Sequence, residues 1–113
     1  MRTPEQVLKD HLRRRQDGDL ESDLRHNYHP EVRLLSAEGI HHGHDGVRKL
    51  AEILKSYLPA GEYRYDQVLT DGNIGMLTWS GRCGEDGGIH DGVDSYVIED
   101  DVIVAQTIHY SSQ

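Results

Sequence analysis

Asp94 is the residue whose chemistry most needs an explanation. It lies in the stretch from Ile89 to Tyr110, IHDGVDSYVIEDDVIVAQTIHY, where β-branched and aromatic residues alternate with polar ones around an acidic turn at Glu99, Asp100 and Asp101. That alternation predicts a hairpin of two long strands. A carboxylate within such a buried-looking pattern is costly unless it is partnered, protonated or used. In an apolar setting its pKa rises, which suits it to act as a neutral hydrogen-bond donor or a poised base. The competing reading is a carboxylate that caps or pairs with a core hydroxyl or histidine.

His11 is the second titratable group in an apolar pattern, sharing a stripe at helical spacing with Val7, Leu8 and Leu12. A histidine there is either a satisfied buried residue or an acid–base group. His41, His42, His44 and Asp45, with His90 and Asp91, invite a metal reading. Adjacent strand residues point to opposite faces, however, so His41 and His42 are poorly placed to share one ion, and no metal or cofactor is expected. There is no G-x-S-x-G elbow for a serine nucleophile and no glycine-rich phosphate loop.

Composition removes whole classes of function. Twenty acidic against twelve basic residues give a net charge of -8, the wrong balance for tracking nucleic-acid phosphates. Cys83 is the sole cysteine, so no intrachain disulfide forms, and a reducing, cytoplasmic location is expected. No run approaches the roughly 20 apolar residues that span a bilayer, and the N-terminus lacks the apolar core of a signal peptide. At 113 residues a single domain, residues 1–113, with one core is expected. Six tyrosines and no phenylalanine imply that tyrosine does core work while its hydroxyl finds partners, as in a polar-lined cavity.

The elements that must position these groups follow in order. Thr3 as N-cap, Pro4 at the first helical position and Gln6 three residues after the cap start a helix that Gly18 closes. Asp19 restarts a short helix that runs to Tyr28 and ends at His29-Pro30. Val32 to Ser36 reads as a strand and Glu38 to His42 as a short second one. A third helix is expected from about Asp45, capped by that carboxylate and stopped by Pro59 and Gly61. Tyr63 to Thr70, Ile74 to Arg82, Ile89 to Ile98 and Val102 to Tyr110 then read as four strands of an antiparallel meander, with turns at Asp71-Gly72-Asn73, Gly84 to Gly88 and the acidic segment. The predicted class is α+β: three N-terminal helices on one side of a bent, cone-shaped antiparallel or mixed sheet.

Three local patterns in this order resemble the nuclear transport factor 2-like superfamily, which includes SnoaL-like polyketide cyclases, ketosteroid isomerases and limonene epoxide hydrolases. They are Gly18-Asp19-Leu20 through Tyr28, Gly43-His44-Asp45-Gly46-Val47-Arg48, and Val93-Asp94-Ser95-Tyr96 with Asp101-Val102-Ile103. The resemblance implies a cone that encloses a small, largely apolar organic ligand. In ketosteroid isomerases a protonated aspartic acid donates to the substrate oxygen, and Asp94 matches its motif. His11 stands where those enzymes have a tyrosine, and Leu35 or Ser36 falls where they have a carboxylate base. The steroid-isomerase reaction is therefore not expected, while a His11–Asp94 acid–base pair across the cone is.

With Asp94 inward, Tyr96 and Ile98 share its face. The family register brings in Met76, Thr78, Ser80 and Arg82 on the preceding strand and Val104, Gln106, Ile108 and Tyr110 on the last; Tyr28 and Ser36 complete the expected ligand contacts. The opposite register aims Trp79, Thr107 and His109 inward instead, and His109 is retained as a candidate contact. In the first register Leu77, Trp79, Val93, Val97 and Ile103 form an outer apolar face, from which a homodimer through the sheet is expected. Catalysis by isomerisation, cyclisation, dehydration or hydrolysis stays open against a non-catalytic module whose cone is filled. A cavity above roughly 300 Å³ with Asp94 on its wall favours the former; a packed cone with Asp94 bonded to tyrosine or glutamine favours the latter.

Overall fold

A computed structural model describes residues 1–58, 62–83 and 87–112. Helix α1 spans Pro4–Gln16 and starts with a full capping box: the Thr3 side chain accepts from the Gln6 amide at 3.1 Å while the Gln6 side chain accepts from the Thr3 amide at 2.8 Å. Its buried stripe is Val7, Leu8, His11 and Leu12. Gly18, at φ +74, makes the left-handed turn into α2, Leu20–Asn27, which Asp19 caps through the Ser22 amide.

Strand β1 runs Tyr28–Ser36 and so begins four residues earlier than expected. His29-Pro30 does end the helix, but the extended backbone it imposes is also that of a strand, and the pair falls where the pairing of β1 jumps from Tyr28 to Arg33. Strand β2, Gly39–His42, leads into α3, Gly43–Tyr57. Asp45 does not cap α3. The N-cap is His42 without a side-chain bond, and Asp45, in the first turn, pairs with Arg48 at 2.6 Å. The expected stop at Pro59 and Gly61 lies outside the described residues, as do positions 84–86 of the turn between the next strands.

The meander is present as β3 (Glu62–Asp71), β4 (Ile74–Cys83), β5 (Gly87–Glu99) and β6 (Val102–Ser112). The sheet order is β2-β1-β6-β5-β4-β3, with β1 parallel to β6 and every other pair antiparallel. The architecture is α+β, with a mixed six-stranded sheet. Leu8, Val47, Leu50 and Leu58 from the helices and their ends meet Leu34, Leu77, Trp79, Tyr96 and Ile98 from the sheet in one core.

The inner face of β4 is the main correction. Leu77 pairs with Asp94, and residues paired across antiparallel strands share a face. Leu77 and Trp79 therefore point inward between Gly75 and Gly81, all four buried, and Met76, Thr78 and Ser80 lie on the outer face with Arg82 exposed. On β6 the first register is correct for Gln106, Ile108 and Tyr110, which are buried, whereas Thr107 and His109 are exposed. The alternation breaks at Val104, the extra residue between the Val97–Ala105 and Ile98–Ile103 pairs, so Ile103 is buried rather than outward and Val104 is only half-buried.

Candidate functional site

The inner sheet face and the three helices bound a cavity of about 410 Å³. Helix α1 contributes His11, Leu12 and Arg15, and α3 contributes Val47, Leu50, Ala51 and Leu54. The sheet supplies Tyr28, Leu34, Leu77, Trp79, Asp94 and Tyr96, with Gln106 and Ile108 from β6 and Tyr63 and Tyr65 from β3.

Asp94 is buried, and three donors converge on it. The Trp79 indole donates to Oδ1 at 2.9 Å; the Tyr96 hydroxyl and the Gln106 amide each donate to Oδ2 at 3.2 Å. Tyr28 closes the cluster by donating to the Gln106 carbonyl oxygen at 2.6 Å. Burial pushes the Asp94 acid upward from its ordinary value, against the hydrogen bonds from Trp79 and Tyr96 and the positive field of Arg15. Burial likewise holds the Tyr96 phenol well above its usual range.

His11 has a partner that the sequence reading missed. Its Nδ1 lies 2.7 Å from Oδ2 of Asp23, which is fully buried. Asn27 fixes the other carboxylate oxygen, its amide donating to Asp23 Oδ1 at 2.9 Å and to Asp10 at 2.8 Å. With Nδ1 donating its proton to Asp23, Nε2 of His11 is the lone-pair nitrogen, and it faces the Tyr96 hydroxyl at 3.5 Å. His11 and Asp94 are thus connected through Tyr96, in the order Asp23, His11, Tyr96, Asp94. The signal for Asp23 was present: Leu20, Asp23, Leu24 and Asn27 follow helical spacing, and the last three are buried.

Of the expected contacts, His11, Tyr28, Asp94, Tyr96, Gln106 and Ile108 line the cavity. Tyr110 is buried beside it, its ring 6.1 Å from Trp79 and its hydroxyl donating to Glu38 at 2.8 Å. Ser36 is not on the wall; its hydroxyl accepts from the Glu38 amide in the β1–β2 turn at 3.0 Å. Met76, Thr78, Ser80 and His109 face away, for the register reason given above. Trp79, the alternative in the other register, and Arg15 are cavity residues instead. His44 is turned from any shared ion site, with Nε2 3.0 Å from the Tyr28 carbonyl, and among the described residues no three His, Cys, Asp or Glu side chains come together as a metal site.

This architecture is the nuclear transport factor 2-like fold. A nuclear transport factor 2-like protein of unknown function from Burkholderia pseudomallei superposes with a TM-score of 0.81 at 18% identity, covering 98% of this chain and 92% of its own. A candidate SnoaL-like polyketide cyclase from Mesorhizobium loti gives 0.73 at 16% identity, covering 96% and 100%. IdmH, a candidate polyketide cyclase from Streptomyces antibioticus, gives 0.77 at 12% identity, covering 97% and 93%. No family model and no curated protein matches the sequence.

Proposed function

We propose that the cone binds a small, largely apolar organic molecule and that the group best placed to act on it is His11, held by Asp23. The carrying observation is the cavity of about 410 Å³ with a buried, connected chain of acid–base groups on its wall. A volume of that size is in the range of small-molecule sites. In this reading His11 Nε2 removes a proton from carbon or water, Asp23 orients the ring and stabilises the resulting imidazolium, and Tyr96 and protonated Asp94 donate to developing oxygen charge. The SnoaL-like neighbours support a cyclase or related acid–base reaction. The single cysteine is consistent with a reducing, cytoplasmic setting, and no helix among the described residues is long and apolar enough to cross a membrane.

Asp94 also supports a second reading. Its three donors satisfy it without any ligand, as in a binding module that does no chemistry. Thermal-shift screening with small apolar ketones and aldehydes tests the common premise: a binder at a hundredfold excess over its Kd raises stability by about 2.7 kcal/mol. Conversion of a binder, lost in His11→Gln while binding persists, supports catalysis; binding without conversion supports the module. Absence of any stabilising compound would count against both.

A further inference from the structure

Arg15 is the cavity residue that neither reading uses. It lies one helical turn after His11 on α1, so both side chains leave the same face of the helix. Among the described residues its guanidinium donates no hydrogen bond, and it pairs only loosely, with Nη1 3.8 Å from Asp23 Oδ2. Asp23 is already engaged by His11 and Asn27 at much shorter range. A guanidinium carries five donors in a planar fork, and here they border a cavity rather than bulk solvent, the side chain being 26% exposed.

The surroundings narrow the class of ligand. Tyr63, Tyr65 and Trp79 share the wall with Arg15, the Tyr63 and Trp79 rings 5.8 Å apart and tilted by 47°. Burial pushes the Tyr65 phenol up to about 12, and Arg15 acts against that rise, as it does at Tyr63 and Asp94, so its field reaches across the cavity. Exposed Lys55 adds charge of the same sign to the lining.

We propose that Arg15 forms an anion subsite in the cone, and that it takes the carboxylate of a ligand whose remaining body is apolar and packs among these rings. One fork among phenol and indole rings suits a monoanion on an apolar body. The inference rests on the cone being a ligand cavity, and it places the ligand's acidic end one turn of α1 from His11.

The test compares 2-naphthoate with 2-naphthamide, a neutral molecule of nearly the same shape, by calorimetry and by the indole N–H resonance of Trp79, the chain's single tryptophan. The wild-type protein is expected to bind the acid at least about tenfold more tightly than the amide. Arg15→Gln should remove that preference while leaving amide binding within about threefold, and Arg15→Lys should keep part of it. Equal wild-type affinities, or a preference that survives Arg15→Gln, would overturn the subsite while leaving the cavity reading intact. If neither compound shifts the Trp79 signal at about 1 mM, a very weak limit, both the subsite and the ligand cavity fall. The wild-type comparison needs no variant, so poor folding of Arg15→Gln leaves the result decisive.

Discussion

Asp94 carries a proton in the folded chain to higher pH than it does in the unfolded one, because burial raises its pKa. Between the ordinary value of 3.8 and the raised one, the folded state binds more protons, so Asp94 makes the protein less stable as pH rises through that window. Asp94→Asn has no such titration. The difference in melting temperature, wild type minus variant, should therefore fall as pH goes from about 4 to 8; a constant difference would mean an ordinary carboxylate. His11 makes a separate prediction. His11→Ala leaves buried Asp23 without its closest partner and should cost about 1–3 kcal/mol in urea unfolding, whereas an exposed histidine such as His109 should cost close to nothing. Asp94 and His11 were legible because each is polar in an apolar pattern. Arg15 was not, and at Asp23 the helical spacing was outweighed by its charge, since a charged residue in a helix ordinarily marks the solvated face; what draws these two inward is the packing of α1 on α2 and over the sheet.

At the scale of elements, glycines on the inner sheet face decide where the larger side chains go. A Cβ on Gly75 would come within 2.4 Å of Leu8, and one on Gly81 within 2.5 Å of Leu58, so both positions receive leucines from or next to the helices. Gly92 lies under the Trp79 ring, where a Cβ would sit 2.5 Å from the indole and 2.7 Å from the Trp79 carbonyl oxygen. Gly92→Ala should displace the indole from Asp94, destabilise the fold by about 1–3 kcal/mol and red-shift tryptophan fluorescence; an unchanged emission maximum would contradict the packing. These glycines were readable evidence for β4, since Gly75, Leu77, Trp79 and Gly81 share one parity. Bulges hide such parity from a sequence reader. The extra residue at Asp66 on β3, at Asp91 with φ +55 on β5 and at Val104 on β6 each shifts the alternation by one, and only partner strands reveal where. The helices were easier, because capping and the apolar stripe of α1 are local, and Asp45 misled only because a good capping residue lay three positions inside the helix.

The outer face of the whole molecule has a row that crosses all six strands and is apolar at both ends: Leu69, Met76, Ser95, Thr107, Leu35 and Ile40 are successive cross-strand partners, with Leu69 and Met76 at one end and Leu35 and Ile40 at the other. Leu35 is 50%, Ile40 70% and Leu69 49% exposed, and Ile74 at 59% extends the patch beside half-buried Val97. We infer that two copies associate through this face, although Leu77, Trp79 and Ile103, expected to form it, are inside. Sedimentation should show a dimer that Leu35→Lys with Leu69→Lys converts to a monomer without loss of circular dichroism; a wild-type monomer at about 100 μM, well above the Kd of most stable dimers, would rule out the association. The parallel pairing of β1 with β6 has a kinetic consequence. His11, Asp23 and Tyr28 come from the first quarter of the chain and Trp79, Asp94, Tyr96 and Gln106 from the last third, while Arg2 bonds to Asp101 across 99 positions. The meander can form from neighbouring strands, but the first quarter joins it only by closing a loop of most of the chain, which is slow and comes after local pairing. The site should thus be the last part of the molecule to assemble during folding, and protection of the β1–β6 amides in pulsed hydrogen exchange should lag that of β4–β5.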